Sequence, residues 1–338
     1  MTTHADFNDT TTAEEVVAVF ADQIAGRTVA ITGPSVGGIG FETARAIASQ
    51  GASVILVGRS MDKLEEARDT ILQQTPGASL ALVTLDLGSL ASVRAGAAEI
   101  AKAAGGRLDV LINNAGVMMT PFSHTVDGFE TQWGTNYVGP WLLTNLLLPA
   151  LLAAPSPRVV FVSSAGHRTT DIRWDDPNFA RGYDGLLAYG QGKTGANLNA
   201  VALAAKFPRL TAISLHPGGI QTNLMNHLTA ADMPALSDML EADGSSKSSW
   251  KTPSQGAATT LVAAFDPKLT EVNGTYLVDC QIAELKETGP SPGKSMAELT
   301  YVAPYSLDPV RAERLWRMTE EIVGEKFGPE DVKPTATA

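Results

Sequence analysis

The sequence predicts an α/β fold, a doubly wound parallel sheet forming a single domain. Short, continuously apolar runs alternate with amphipathic stretches from residue 28 to residue 215. Strands that are apolar on both faces belong to a parallel sheet covered by helices on both sides. The second observation is a glycine-rich turn, Gly33-Pro34-Ser35-Val36-Gly37-Gly38-Ile39-Gly40, that leaves the first run and opens directly into a helical stretch. In a doubly wound sheet the strand ends at such a junction meet the ligand.

Taken in order, the residues before Ala13 are polar. Thr12 and Glu15 then make a capping box, and Val16, Val19, Phe20 and Ile24 carry a helical stripe that Gly26 ends. Thr28–Thr32 is the first strand, followed by Val54–Val57, Leu80–Leu85, Val110–Ile112, Val159–Val162 and Ala212–Leu215. Helices are expected at Phe41–Gln50, Asp62–Gln74, Leu90–Ala104, Gly128–Leu152 and Tyr189–Phe207. Asn223–Gln255 breaks the alternation. It is rich in Met and Leu, carries Gly244-Ser245-Ser246, and is expected to form a substrate lid. A helix at Gly256–Phe265 and a last strand at Thr275–Val278 follow, then a Pro/Gly/Ser loop from Thr288 to Gly293 and an amphipathic helix from Leu307 to Val323. The expected division is a tail and helix at 1–25, the nucleotide-binding domain with its lid (223–255) at 26–280, and a C-terminal loop and helix at 281–338.

Composition narrows the function classes. The 338 residues are 44% hydrophobic and 18% charged, with a net charge of -11, which argues against nucleic acid or an anionic membrane surface as partner. The lone cysteine, Cys280, excludes an internal disulfide, and with no basic region followed by an apolar run at the N-terminus a cytoplasmic setting is expected. The five histidines lack metal-ligand spacing, so no metal is expected. Thr131–Pro157 contains no charge, but Asn136, Pro140, Asn145 and Pro149 interrupt it, and a span needs about 20 consecutive apolar residues. The stretch reads instead as a helix buried by the core and by a partner subunit, in a homodimer or homotetramer.

Tyr189-Gly190-Gln191-Gly192-Lys193 carries the chemistry. Residues four apart share a helix face. A fixed ammonium beside a phenol is expected to lower its pKa from about 10, making the pair a general acid/base for a carbinol oxygen. His167 lies close to Ser164 in sequence, but two residues of one short segment more often point apart, which disfavours a Ser–His hydrolase.

These elements together resemble the short-chain dehydrogenase/reductase family, over roughly Gly26 to Val278. The glycine turn matches that family's Rossmann-fold pattern Thr-Gly-x-x-x-Gly-x-Gly with one extra residue, so either Gly37 or Gly38 can be the middle glycine. Asn113-Asn114-Ala115-Gly116 matches the motif after the fourth strand, Asp86-Leu87 the adenine contact, and Pro217-Gly218-Gly219-Ile220-Gln221-Thr222 the segment around the nicotinamide carboxamide. The resemblance implies catalytic roles for Ser164, Tyr189, Lys193 and Asn136. It implies cofactor contacts at Gly33, Ser35, Gly38, Ile39, Gly40, Asp86, Leu87, Asn113, Ala115, Gly116, Pro217, Gly218, Ile220 and Thr222, besides Tyr189 and Lys193. The Arg168–Gly185 insertion and Lys251-Thr252-Pro253-Ser254-Gln255-Gly256-Ala257-Ala258 look most like the retinol-dehydrogenase-like branch.

The second strand ends Val57-Gly58-Arg59-Ser60 with no carboxylate to accept a ribose 2′-hydroxyl. Arg59 can fork onto a 2′-phosphate and Ser60 can add a hydrogen bond, so NADP(H) is the expected cofactor. The expected reaction is hydride transfer between nicotinamide and the carbonyl or alcohol of a bulky apolar substrate. The wall expected around it includes Met118, Met119, Trp174, Phe179 and Tyr183 with the lid; the alternative for these side chains is packing of the lid onto the body. An isomerase or dehydratase that retains its cofactor, and a catalytically silent nucleotide sensor, are the other functions open to this fold.

Overall fold

The computed structural model describes residues 4–220, 224, 250–287 and 300–332. Eight strands form the central sheet: β1 (Thr28–Thr32), β2 (Ser53–Gly58), β3 (Leu80–Thr84), β4 (Val110–Asn113), β5 (Arg158–Val162), β6 (Thr211–His216), β7 (Tyr276–Val278) and β8 (Gln281–Ile282). Their order is β3-β2-β1-β4-β5-β6-β7-β8, parallel except for the last pair. The order reverses between β1 and β4, and the C-terminal ends of these two strands flank the crevice used by doubly wound sheets. A separate parallel pair joins β9 (Glu284–Leu285) to β10 (Tyr301–Val302).

Alternation along the strands builds two cores, one on each face of the sheet. In β1, Ala30 faces one core while Val29 and Ile31 face the other. The second core takes in α1 (Ala13–Val19), α3 (Ile39–Ser49), α4 (Met61–Gln74) and α9 (Pro253–Phe265). The expected Thr12–Glu15 capping box is present, but the N-terminal stripe is two helices, broken at Phe20 before α2 (Ala21–Ile24).

The first core holds α5 (Leu90–Ala103), α7 (Gly139–Leu152), α8 (Gly185–Lys206) and α10 (Pro309–Val323). The helix expected from Gly128 begins later, with one turn at α6 (Thr131–Trp133), and widens into a π-turn over Gly134–Val138 before α7. Burial of α7 is nearly complete, and its cover comes from the chain itself. Trp316 of α10 meets Trp141 edge-on with ring centres 5.1 Å apart, and Phe327 meets it at 5.4 Å. Lys206 ties α8 to α10 through Glu313 at 2.7 Å. The apolarity of α7 is therefore satisfied without a second subunit. Among the described residues no helix is long and apolar enough to cross a membrane, and no cluster of His, Cys, Asp or Glu could hold a metal ion.

Candidate active site

A cleft of about 590 Å³ runs along the C-terminal edge of the sheet. Its floor is the turn between β1 and α3. Gly33 sits at φ +71°, where a Cβ would lie 2.9 Å from the Ala115 α-carbon, so only glycine lets the two strand ends come together there. The Ser35 carbonyl accepts from the Gly38 N–H at 3.0 Å, and Gly37, at φ +80°, is the left-handed residue of that turn. Gly38 is the N-cap of α3 and offers no side chain to its first N–H groups. Those donors, with the helix dipole behind them, suit a pyrophosphate. A Cβ on Gly40 would collide with the Asn114 side chain and lie 2.7 Å from the Gly33 carbonyl oxygen. Ser35, Gly38, Ile39 and Gly40 all line the cleft.

The end of β4 is sewn to β1. The Thr32 hydroxyl accepts from the Asn114 and Ala115 N–H groups at 3.0 Å each, and the Asn114 amide donates to the Thr32 carbonyl at 2.8 Å. Ala115 and Gly116 line the cleft with Asn114, but Asn113 does not. Neighbouring residues at the strand end point to opposite sides, and the Asn113 amide donates to Thr144 of α7 at 3.0 Å within the core. Asp86 and Leu87 also line the cleft, the Asp86 carboxylate accepting from the Gly88 N–H at 2.9 Å.

At the β2 end, Arg59 is exposed and lines the cleft together with Lys63, one turn further on. Neither charged head group pairs with another group among the described residues. The Ser60 hydroxyl caps α4, accepting from the Lys63 N–H at 3.4 Å. Pro217, Gly218 and Ile220 line the opposite wall, whereas Thr222 lies outside the described residues.

The catalytic candidates converge on the middle of this cleft. Asp184 caps α8 by accepting from the Leu186 and Leu187 N–H groups at 2.9 and 3.0 Å, and the helix then presents Tyr189 and Lys193 on one face. Ser164, just past β5, accepts from the Gly166 N–H at 3.1 Å and opposes the rise in the Tyr189 pKa. The Ser163 hydroxyl donates to the Lys193 carbonyl at 3.0 Å, locking helix to strand. Lys193 Nζ donates to the Val162 carbonyl at 2.8 Å and stands 5.6 Å from the Tyr189 ring centre. The Asn136 amide is fastened at both ends to the backbone of Val117, at 2.9 Å each. A Cβ on Gly116 would lie 3.1 Å from Asn136 Oδ1 and 3.3 Å from Lys193 Nζ, so Gly116 lets these two side chains flank the same point.

The electrostatics differ from the expectation of a lowered tyrosine pKa. Burial pushes Tyr189 up to about 12 against the opposing effect of Ser164, and burial pushes Lys193 down to about 8. Low dielectric disfavours both charged forms, and Lys193 is oriented by a carbonyl rather than by the phenol oxygen. His167 is no partner for the Ser164 hydroxyl. A carbonyl only accepts, so its Nδ1 donates to the Ser164 carbonyl at 2.6 Å, while Nε2 accepts from the Ala303 N–H at 3.2 Å. Burial holds this imidazole down to about 3, neutral at any working pH.

Met118, Leu186, Leu224 and Trp250 line the remaining end of the cleft. Met119 and the insertion aromatics do not. Tyr183 donates to the Thr120 carbonyl at 2.7 Å, the Arg173 guanidinium covers Phe179 at 4.3 Å, and that of Arg314 covers Trp174 at 4.1 Å. Tyr183 and Trp174 thus pack the insertion onto the body, and Phe179 packs within it. Residues 223 and 225–249 of the expected lid lie outside the described residues. Lys63, Leu186 and Trp250 went unmarked in the sequence, and Asn114 was quoted in its motif without being named as a cofactor contact. Lys63 carried a signal, the i+4 spacing from Arg59 on a helix face.

Comparison with known proteins agrees with this geometry. The family model for short chain dehydrogenase matches residues 27–232. A short-chain dehydrogenase/reductase, prx1, of Penicillium roqueforti is 39% identical over 305 residues, covering 88% of this chain and 85% of that protein. Retinol dehydrogenase 14 of Homo sapiens is 36% identical over 314 residues, covering 88% and 87%. Among solved structures, a chain described as an NAD(P)-dependent gluconate 5-dehydrogenase from Beutenbergia cavernae, with NADP at low occupancy, superposes with a TM-score of 0.58. It is 27% identical and covers 75% of this chain and 95% of its own. With the glycine cradle, the convergence of Ser164, Tyr189 and Lys193 on one cleft and these relatives in agreement, the protein belongs to the short-chain dehydrogenase/reductase family of nicotinamide-dependent oxidoreductases.

Proposed function

We propose that the protein is an NADP(H)-dependent reductase of a fairly bulky, mostly apolar ketone or aldehyde. One observation carries the reading: a single cleft joins Arg59 and Lys63, two cations without a partner among the described residues, to Ser164, Tyr189 and Lys193. The residues present fit a dinucleotide. The uncapped start of α3 and the close approach of Gly33 to Ala115 suit the pyrophosphate, and Arg59 with Lys63 suits a 2′-phosphate.

A bound nicotinamide supplies the hydride. Ser164 holds the carbonyl oxygen by a hydrogen bond, and Tyr189 gives that oxygen its proton as the carbonyl carbon is reduced. A pKa of about 12 keeps Tyr189 protonated at neutral pH, the form that reduction consumes. Lys193, charged below about 8, stabilises the negative charge left on the phenol oxygen, and Asn136 fixes the backbone beside it. Met118, Leu186, Leu224 and Trp250 give the substrate end its apolar character. In the same reading a homodimer or homotetramer would form through faces other than α7, which α10 covers, and a single cysteine, Cys280, fits a reducing compartment such as the cytoplasm.

A screen of NADPH and NADH oxidation against aldehydes, cyclic ketones and aromatic polyketide-like ketones tests this. Turnover with NADPH on the larger ketones or aldehydes is expected. Tight NADPH binding without turnover on any carbonyl would favour a silent nucleotide sensor instead.

A further inference from the structure

The wall opposite the glycine turn, Pro217–Ile220, leaves the sheet at the end of β6 and has no strand of its own to hold it. Ile220 pairs in parallel with Lys251, and the Lys251 N–H donates to the Gly219 carbonyl at 2.9 Å. From there the Lys251 side chain runs back across Gly218. That glycine is at φ +102°, and a Cβ on it would lie 2.6 Å from Lys251 Cδ and 2.9 Å from Cε. Its ammonium ends on Asp279 at 2.6 Å, with 13% of the lysine and 25% of the aspartate side chain exposed.

Asp279 is a rigid anchor. With Cys280 it makes the two-residue turn between β7 and β8, both at positive φ (49° and 62°). A tight hairpin turn with two left-handed residues is narrowly defined, and Asp is among the few side chains that accept that conformation. The turn is also pinned to α9, since the Cys280 N–H donates to the Thr259 hydroxyl at 3.1 Å. The lysine thus links a loop wall to the hairpin turn at the edge of the sheet, and its neighbour Trp250 lines the cleft.

We propose that Lys251 is a positioning residue for the cofactor: its stem roofs Gly218 and its ion pair with Asp279 sets the Pro217–Ile220 wall at the height the nicotinamide end of the cleft requires. The proposal rests on the reading of the cleft as a dinucleotide site. Lys251 touches none of the reacting groups. Its loss should weaken cofactor binding while Ser164, Tyr189 and Lys193 keep their places.

The test is fluorescence titration of NADPH and NADH with the full chain, alongside thermal unfolding of each variant. Lys251→Met keeps the stem and drops the charge, and Asp279→Asn drops the anchor. Each is expected to weaken NADPH binding about fivefold, the scale of one partly exposed ion pair, with kcat at saturation close to wild type. The double variant should bind no more weakly than either single one, and Lys251→Arg should restore most of the affinity. Unchanged NADPH affinity in Lys251→Met and Asp279→Asn, with wild-type protein binding normally, overturns the positioning role. If one variant fails to fold, the other decides. Wild-type protein that binds neither NADPH nor NADH would overturn the dinucleotide reading itself, and this proposal with it.

Discussion

The ring of Tyr189 lies against the backbone of Gly166, so closely that a Cβ on that glycine would come within 2.8 Å of two ring carbons. Gly166 follows Ser164 by two residues and donates its N–H to the Ser164 hydroxyl at 3.1 Å. One short turn therefore sets both the acid and the group that shares its substrate oxygen. Gly166→Ala should push the phenol away from Ser164 and reduce kcat while leaving cofactor affinity near wild type. Measurement of kcat beside NADPH titration checks this, and a fully active alanine variant would show that the ring has room to move.

Tyr189→Phe removes the proton donor and nothing else from the buried site. Turnover should fall by roughly 100-fold or more, the usual cost of losing a general acid, with cofactor binding retained. Steady-state reduction of any accepted carbonyl is the measurement. A phenylalanine variant that keeps most of its activity would sink the assignment.

Reduction needs Tyr189 as phenol and Lys193 as ammonium. Tyr189, pushed up to about 12, stays protonated through the whole working range, and Lys193, pushed down to about 8, is charged only below that pH. The reduction rate should therefore be level below pH 8 and decline as pH rises through it. His167, held down to about 3, contributes no change in this window. A pH profile of kcat tests the sign, and a rate that climbs between pH 7 and 9 would contradict it.

Arg59→Ala should cost NADPH roughly 10- to 100-fold in kcat/KM, the scale of hydrogen bonds to a charged phosphate, and leave NADH almost untouched. Lys63→Ala should act in the same direction, because both head groups line the cleft and neither pairs with another group among the described residues. Equal losses with the two cofactors would mean that neither residue reads the 2′-phosphate.

Much of this was legible in the sequence because local rules and fold rules agree there. The apolar runs became β1 to β7 within a residue or so, and the Tyr189–Lys193 spacing placed both side chains in the cleft. What stayed hidden depended on the direction of a side chain or on a distant partner. Asn113 and Asn114 are indistinguishable in sequence, yet strand alternation sends one to Thr144 and the other to the cleft. The apolar face of α7 announced that something covers it, but not that Trp316 and Phe327 of the same chain do so. The aromatic insertion residues matched a substrate wall in composition, while Thr120, Arg173 and Arg314 already engage them. The tyrosine pKa was misjudged because spacing reveals a neighbouring charge and not the burial that outweighs it.

Trp250 offers the most direct test of substrate size. It stands immediately before Lys251, whose backbone is paired with Ile220, and it lines the cleft together with Met118 and Leu186. Along a homologous series of linear aldehydes, each methylene buried against this wall should contribute about 0.8 kcal/mol, or close to fourfold in kcat/KM. Trp250→Ala removes the largest flat apolar surface at that end and should flatten the dependence on chain length, leaving the smallest aldehydes almost unaffected. The comparison needs only the slope of log kcat/KM against carbon number for the two proteins. Parallel slopes would place the substrate elsewhere in the cleft and leave Trp250 as packing, and a wild-type slope near zero would remove the preference for bulky apolar carbonyls altogether.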